Sequence, residues 1–313
     1  MSPFTHFLER HGCVILDGGL ATELELRGAD LRDPLWSAKL LLENPDLIHR
    51  VHLDYFAAGS DVATTTSYQA TIPGLMQRGL DRKQAAEVLR LSVRLAQQAR
   101  GEFWQSEANR SGRLRPLVAA SIGCYGASLH DGSEYRGDYG LSVQQLIDWH
   151  RPRLEILASN GADLLACETV PCLAEGEALV QLLAGFPDVP AWLSFSCKDE
   201  LHLCHGEPFA EAIQIANAAA NVVAVGVNCT APRFIEGLLT SVAGIAKKPL
   251  LVYPNSGETW DAQRHCWLGT NTEPDWRECV QRWHRAGARL IGGCCRTTPD
   301  TIRQIACSLQ SCR

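Results

Sequence analysis

ARLIGGCCRTTPD, residues 288–300, reads as a short buried strand that runs into two adjacent cysteines, then an arginine and a helix start. Runs of the same kind, apolar and rich in β-branched residues, recur along the whole chain. They are CVILDGG (13–19), DVATTTSY (61–68), PLVAASIG (116–123), DLLACETV (163–170), PAWLSFSC (190–197), VVAVGVNC (222–229) and KPLLVYPNSG (248–257). With RLIGGCC (289–295) they number eight. None alternates strictly between apolar and polar, so both faces are expected to be buried, as in a parallel sheet. The segments between them have helical spacing. In SVQQLIDWHRPRLEILASNGAD (142–163), Leu146, Trp149, Leu154 and Leu157 share one broad apolar stripe, which Pro152 is expected to kink or delay. Three helices end alike, at Gly59, Gly161 and Gly287, each just ahead of a strand. A glycine there supplies a left-handed C-cap.

Eight strands alternating with helices over 313 residues predict an α/β fold, a (β/α)8 TIM barrel that takes up residues 1–313 as a single domain. A doubly wound open sheet is the competitor, but no G-x-G-x-x-G or G-x-x-x-x-G-K-[ST] asks for a nucleotide fold. The polar GEFWQSEANRSGRLR (101–115) reads as a surface excursion before the third strand. Hydrophobic residues make up 46% and charged residues 20%, enough for a large core. A net charge of −6 offers no basic field, so no nucleic-acid partner is expected. The start, MSPFTHFLERHGCVILDGG, has no long apolar run, which predicts no signal peptide, no membrane partner and a cytoplasmic location. Thirteen cysteines in such a chain fit a reducing compartment and free or metal-bound thiols.

Cys294 beside Cys295 at a strand end has two readings. A disulfide between neighbours closes a strained small ring and needs an oxidising compartment. Two thiolates on one metal need a further ligand. Cys229 ends the sixth run, and in a barrel all strand C-termini share one mouth, so it meets Cys294 and Cys295 there. Three thiolates around an open fourth position match a catalytic zinc site better than a closed structural one. Gly292 and Gly293 permit the irregular backbone that would turn both thiols toward one ion. A rival cluster, Cys197, His202, Cys204 and His205 in SCKDELHLCHGE, offers zinc-type ligands without paired spacing and leaves a second metal open. Polar groups close the other strands: Asp17 with Gly18 and Gly19, then Thr65, Thr66 and Ser67, then Glu168 and Thr169, Asn228, and finally Tyr253, Asn255 and Ser256. Each alone could cap a helix, and Asp17 and Glu168 could pair with buried arginines. Together at a mouth they suit a zwitterion. Two long loops, 124–140 and 258–274, fall on the same face and suit a substrate cover.

LDGGLATELELRG, TTTSYQAT, GSEYRGDYG, ACETVP, GVNC, VYPNSGE and GGCCRTTP together resemble the homocysteine S-methyltransferase family, over residues 13–305. The 313-residue length and the DGSEYRGDY loop are similar to the branch that uses S-methylmethionine or S-adenosylmethionine. The resemblance implies one zinc ion per chain on Cys229, Cys294 and Cys295, with the amino-acid end of homocysteine near Asp17, Gly18 and Glu168. Thr66 and Asn228 lie in matching motifs and are implied as further substrate-binding residues. No side chain is expected to act as a catalyst beyond the zinc-activated substrate thiol. The expected partners are homocysteine and a sulfonium donor, with the protein a monomer or weak homo-oligomer. In the loop 124–140, Tyr125, Tyr135 and Tyr139 could set ring faces against a cationic sulfur, and Asp131, Glu134 and Asp138 add negative charge. The competing readings are transfer from another donor such as betaine, a zinc hydrolase, and a non-catalytic zinc or redox-sensing protein.

Overall fold

A computed structural model describes residues 2–261, 266–269 and 274–310. The eight expected runs are eight parallel strands. They are β1 (Val14–Ile15), β2 (Val62–Thr64), β3 (Leu117–Gly123), β4 (Leu164–Val170), β5 (Ala191–Phe195), β6 (Val222–Asn228), β7 (Leu250–Tyr253) and, after a two-stranded hairpin of β8 (Thr259–Asp261) and β9 (Cys266–Leu268), β10 (Ala288–Ile291). The sheet order β1-β10-β7-β6-β5-β4-β3-β2, with helices between the strands, is a nearly closed (β/α)8 barrel and rules out the open doubly wound alternative. The hairpin lies within the loop expected at 258–274; residues 262–265 and 270–273 of that loop lie outside the described residues.

The absence of polar alternation in the strands has a two-layer cause. Side chains still alternate in direction, but both directions are apolar. Val118, Ala120 and Ile122 of β3 point outward into the layer shared with the helices. Ala119 between them joins the barrel interior with Leu164, Ala166, Trp192 and Ala224. The N-terminal helix Thr5–His11 stoppers the floor of that interior, where Phe4 stacks on Trp192 with ring centroids 6.5 Å apart. Between β1 and β2 carboxylates stand in for part of the ladder. Asp61 Oδ2 accepts from Ile15 N (2.9 Å) and Asp17 Oδ2 from Thr64 N (2.6 Å), while Asp61 N donates to Ile15 O (2.7 Å).

Local expectations fare unevenly. Gly59, Gly161 and Gly287 all have positive φ (116°, 73° and 110°), as the repeated C-cap requires. Pro152 does not delay its helix, which runs from Val143 to Ala158 with Pro152 inside. The segment 101–115 is in part helical: the helix Arg82–Gln105 runs into it and a short helix, Glu107–Arg110, follows. Among the described residues no helix is long and apolar enough to cross a membrane.

His52 marks a weak point in this scaffold. It is fully buried in the helix Pro45–Ala58, which packs on Arg82–Gln105, and among the described residues neither ring nitrogen has a hydrogen-bond partner. Burial holds the imidazole neutral and lowers its pKa to about 3. The unfolded chain takes up that proton near the ordinary value of about 6.5, so stability falls as pH drops below it and stops falling only at the folded value. His52→Leu removes the proton linkage and two unsatisfied polar atoms, each worth about 1–3 kcal/mol. The expected outcome is a raised melting temperature, with a larger gain at pH 5 than at pH 8, read by differential scanning calorimetry.

Candidate active site

Counting two residues onward from the apolar inner positions reaches a polar layer near the C-terminal end of the barrel. Glu168 is its centre. Ser121 Oγ donates to Glu168 Oε1, and the Tyr253 hydroxyl lies 3.1 Å from Oε2. The same hydroxyl accepts from Trp192 Nε1 (3.1 Å) and lies 2.6 Å from Ser194 Oγ. Ser194 Oγ also reaches Asn228 Oδ1 (2.8 Å), and Asn228 grips Thr169 twice, through Thr169 N to Oδ1 (2.8 Å) and Nδ2 to Thr169 Oγ1 (2.7 Å). That grip holds Thr169 in a left-handed conformation, φ 60°, where β-branched residues rarely sit. Asp17, at the end of β1, accepts from Thr64 N and from Thr64 Oγ1 (2.9 Å). Burial raises both Asp17 and Glu168 to about 7, and among the described residues neither has a cation beside it. Neither carboxylate pairs with an arginine among the described residues, which removes that structural explanation for them.

Above this layer the three cysteines converge. Their sulfur atoms lie within 4.8 Å of one another, and Cys295 Sγ is 3.8 Å from Cys229 Sγ and 4.0 Å from Cys294 Sγ. Two sulfurs sharing a tetrahedral ion at about 2.3 Å stand about 3.8 Å apart, so the donor set fits a soft divalent metal. Cys229 and Cys294 are joined as a disulfide in this structure, with Cα atoms 5.6 Å apart, whereas the sequence led to three thiolates. The reason lies in the convergence itself, since sulfurs close enough to share one ion are close enough to bond to each other. The two uses exclude one another, because a metal needs thiolates. Burial pushes the Cys295 thiol up to about 12, so the bare group is protonated at neutral pH and a cation is what would make it a thiolate.

The glycines before the cysteines work differently from the expectation. Neither Gly292 nor Gly293 has a positive φ; the left-handed residues of this region are Cys229 (φ 46°) and Arg296 (φ 67°). Gly292 and Gly293 are needed for closeness. A Cβ on Gly292 would stand 2.7 Å from the Asp17 carbonyl, and one on Gly293 would strike the Thr297 side chain. Thr297, which sequence reasoning overlooked, ties the two turns together. Its hydroxyl accepts from Gly19 N (3.0 Å) and donates to the Cys294 carbonyl (2.7 Å), and Tyr55 OH donates to its carbonyl (3.2 Å). Only the Gly-Thr contact between a β1 loop and the last strand could have flagged it, and sequence spacing does not show that.

Of the other expected substrate contacts, Gly18 packs against the Tyr55 ring with no room for a side chain. Thr66 Oγ1 is buried and has no hydrogen-bond partner among the described residues, as a group waiting for a ligand would be. Asn228 is fully buried and its hydrogen bonds go to Thr169 and Ser194, so it positions the strand ends. The rival cluster does not assemble among the described residues. His202 Nδ1 turns to Asp199 (3.0 Å) and His205 Nδ1 to Glu207 (2.9 Å), and Cys197 is buried.

The fold and this site define a barrel enzyme with a cup of three sulfurs, able to hold a metal, over a pair of buried carboxylates. The homocysteine S-methyltransferase family model matches residues 14–309, and the chain belongs to that family of methyltransferases. A Bacillus subtilis (strain 168) relative, homocysteine S-methyltransferase YbgG, is 49% identical over 98% of this chain and 97% of its own length. Homocysteine S-methyltransferase 1 of Zea mays is 50% identical over 94% of each chain. The Escherichia coli homocysteine methyltransferase MmuM superposes with a TM-score of 0.88 in a metallated form, at 45% identity over 98% of this chain and 99% of that one. An oxidised form of the same protein matches equally well, with a TM-score of 0.88 at 44% identity over all of both chains.

The packing of the two turns gives a direct test of how the cup is held. A methyl on Gly19 would sit 2.6 Å from the Cys294 carbonyl oxygen. Gly19→Ala is expected to displace Cys294, at a stability cost of about 1–3 kcal/mol, and to lower metal content measured by atomic emission while circular dichroism stays native.

Proposed function

We propose that the chain catalyses zinc-dependent methyl transfer from a sulfonium to the thiol of L-homocysteine, giving methionine, as one homocysteine-binding barrel. S-methylmethionine is the first-choice donor and S-adenosylmethionine the second. The observation that carries this reading is the convergence of Cys229, Cys294 and Cys295 over two buried carboxylates that have no cation among the described residues. Three sulfur donors favour zinc over hard cations. With zinc bound, the open fourth position supplies an acidified substrate thiol at neutral pH. MmuM has one form described as metallated and one as oxidised, which fits a site open to both states. The thiols need a reducing compartment, which the cytosol provides.

The residues do the rest. Glu168 and Asp17 hold the homocysteine ammonium, and Thr66 Oγ1 takes a polar atom of the same amino acid. Asn228 and Thr297 keep the strand ends and the Cys294 turn in place. The thiol gives its proton to solvent, and its sulfur attacks the donor methyl in line. A new carbon–sulfur bond forms, the old one breaks, and the leaving sulfur keeps the electron pair as a neutral thioether. The positive charge of the donor and the negative charge of the thiolate cancel, so no base acts on the methyl, and alignment is the main demand.

Purified, reduced, zinc-loaded protein is expected to convert homocysteine and S-methylmethionine into two methionines without cobalamin or folate, followed by mass spectrometry with a labelled methyl. Activity with betaine alone, and none with either sulfonium, would assign a different donor. Serine at Cys229, Cys294 or Cys295 should lower zinc content and abolish turnover. Cys294→Ala with full zinc and full activity would remove the cup. Glu168→Ala should keep its zinc and lose one charge-assisted hydrogen bond, about 1.5–3 kcal/mol, seen as a raised homocysteine KM. Because burial raises Glu168 and Asp17 to about 7 and an ammonium needs them ionised, homocysteine KM should also rise as pH falls through that range.

A further inference from the structure

The loop between β3 and the helix Val143–Ala158 carries three carboxylates, and the fold sorts them. Asp131 and Asp138 are exposed and share Arg136, each at 3.4 Å. Among the described residues Glu134 makes no ion pair, and the charge of Arg136 reaches it only from a distance. Its Oε2 is buried and makes no hydrogen bond to a described residue. Its backbone is pinned from two sides. Gly126 lies so close that a Cβ there would stand 2.5 Å from Glu134 N, and Ser196 Oγ, just past β5, donates to the Glu134 carbonyl (3.1 Å). Ser196 places that backbone at the mouth: it follows β5, and its neighbour Cys197 donates through N to Thr230 Oγ1 (2.9 Å), the residue after Cys229. Burial raises Glu134 itself to about 7. A buried carboxylate oxygen with nothing to bind is costly and is completed by a cation. Of the aromatic candidates of this loop, Tyr125 is engaged with both Tyr139 and Trp149 (centroids 5.1 Å apart in each pair).

We propose that Glu134 is the counter-charge for the cationic sulfur of the methyl donor, and so the residue that selects sulfoniums over neutral methylating agents. The proposal rests on the sulfonium reading given above. The carboxylate attracts the donor before reaction, when its sulfur is fully positive. As the carbon–sulfur bond breaks, that charge fades, and the neutral thioether is no longer held. Glu134 therefore contributes to donor binding and product release, and not to the barrier.

The test compares reduced, zinc-loaded wild type with Glu134→Gln and Glu134→Asp. For Glu134→Gln the expected result is an S-methylmethionine KM raised about tenfold or more, with kcat unchanged or higher. Homocysteine KM and zinc content should stay at wild-type values. Glu134→Asp, which keeps the charge, should recover part of the loss. Iodomethane, a neutral donor, should methylate homocysteine at the same rate on wild type and Glu134→Gln. An S-methylmethionine KM within twofold of wild type in zinc-loaded Glu134→Gln overturns the assignment, and so does an equal loss with iodomethane. A wild type inert with both sulfoniums overturns the donor reading and this proposal with it; an active wild type beside an unaffected variant overturns this proposal alone.

Discussion

The barrel closes on carboxylates. Where β1 meets β2 the strands are too short to form a ladder, and Asp61 and Asp17 supply acceptors in place of backbone carbonyls. Asp17 thus has two loyalties. One oxygen holds β2 through Thr64 N, and the whole group sits in the dry mouth, where desolvation outweighs the two hydrogen bonds that stabilise its charge. A lone carboxylate in that position would be a liability for a purely structural protein. It is tolerable where a cation arrives as part of the working cycle, and the same holds for Glu168 one strand pair away.

Seen from that seam, the rest of the site is a set of constraints that fix where the strand ends go. Asn228 spans from β6 to the end of β4 and forces Thr169 into a strained backbone. Thr297 locks the turn after β1 to the turn after β10. Both residues are buried, and neither needs to touch a substrate to matter. The sulfur and carboxylate groups to which the proposed chemistry is assigned depend for their positions on these two clamps.

Much of the fold was legible because parallel strands buried on both faces write themselves as unbroken apolar runs, and all eight such runs are strands. Their ends were less so. The run CVILDGG yields only Val14–Ile15 as strand, because Asp17 to Gly19 leave the sheet to build the mouth. The three cysteines could be found by their strand-end positions, but their pairing as Cys229–Cys294 depends on distances that spacing does not encode. Ser121, Ser194 and Tyr253 were readable by parity along their strands, two residues past an apolar inner position. Thr297 and Tyr55 were not, since they meet across 242 residues. The three acids of the loop 124–140 look equivalent as letters, and only the fold shows Arg136 claiming two of them.

The order of the strands sets a timetable for biosynthesis. β1, near the start of the chain, pairs with β10, near its end, and the floor stopper built on Phe4 and Phe7 is made before any wall it will seal. Through most of translation the first strand lacks its ladder partner β10, and its apolar face depends on whatever shields nascent chains. The sulfur cup shares that delay. Cys229 waits for Cys294 and Cys295, so a growing polypeptide cannot capture an ion there until nearly every residue has been made. Any ion held by all three sulfurs would therefore bind only after β10 has been made.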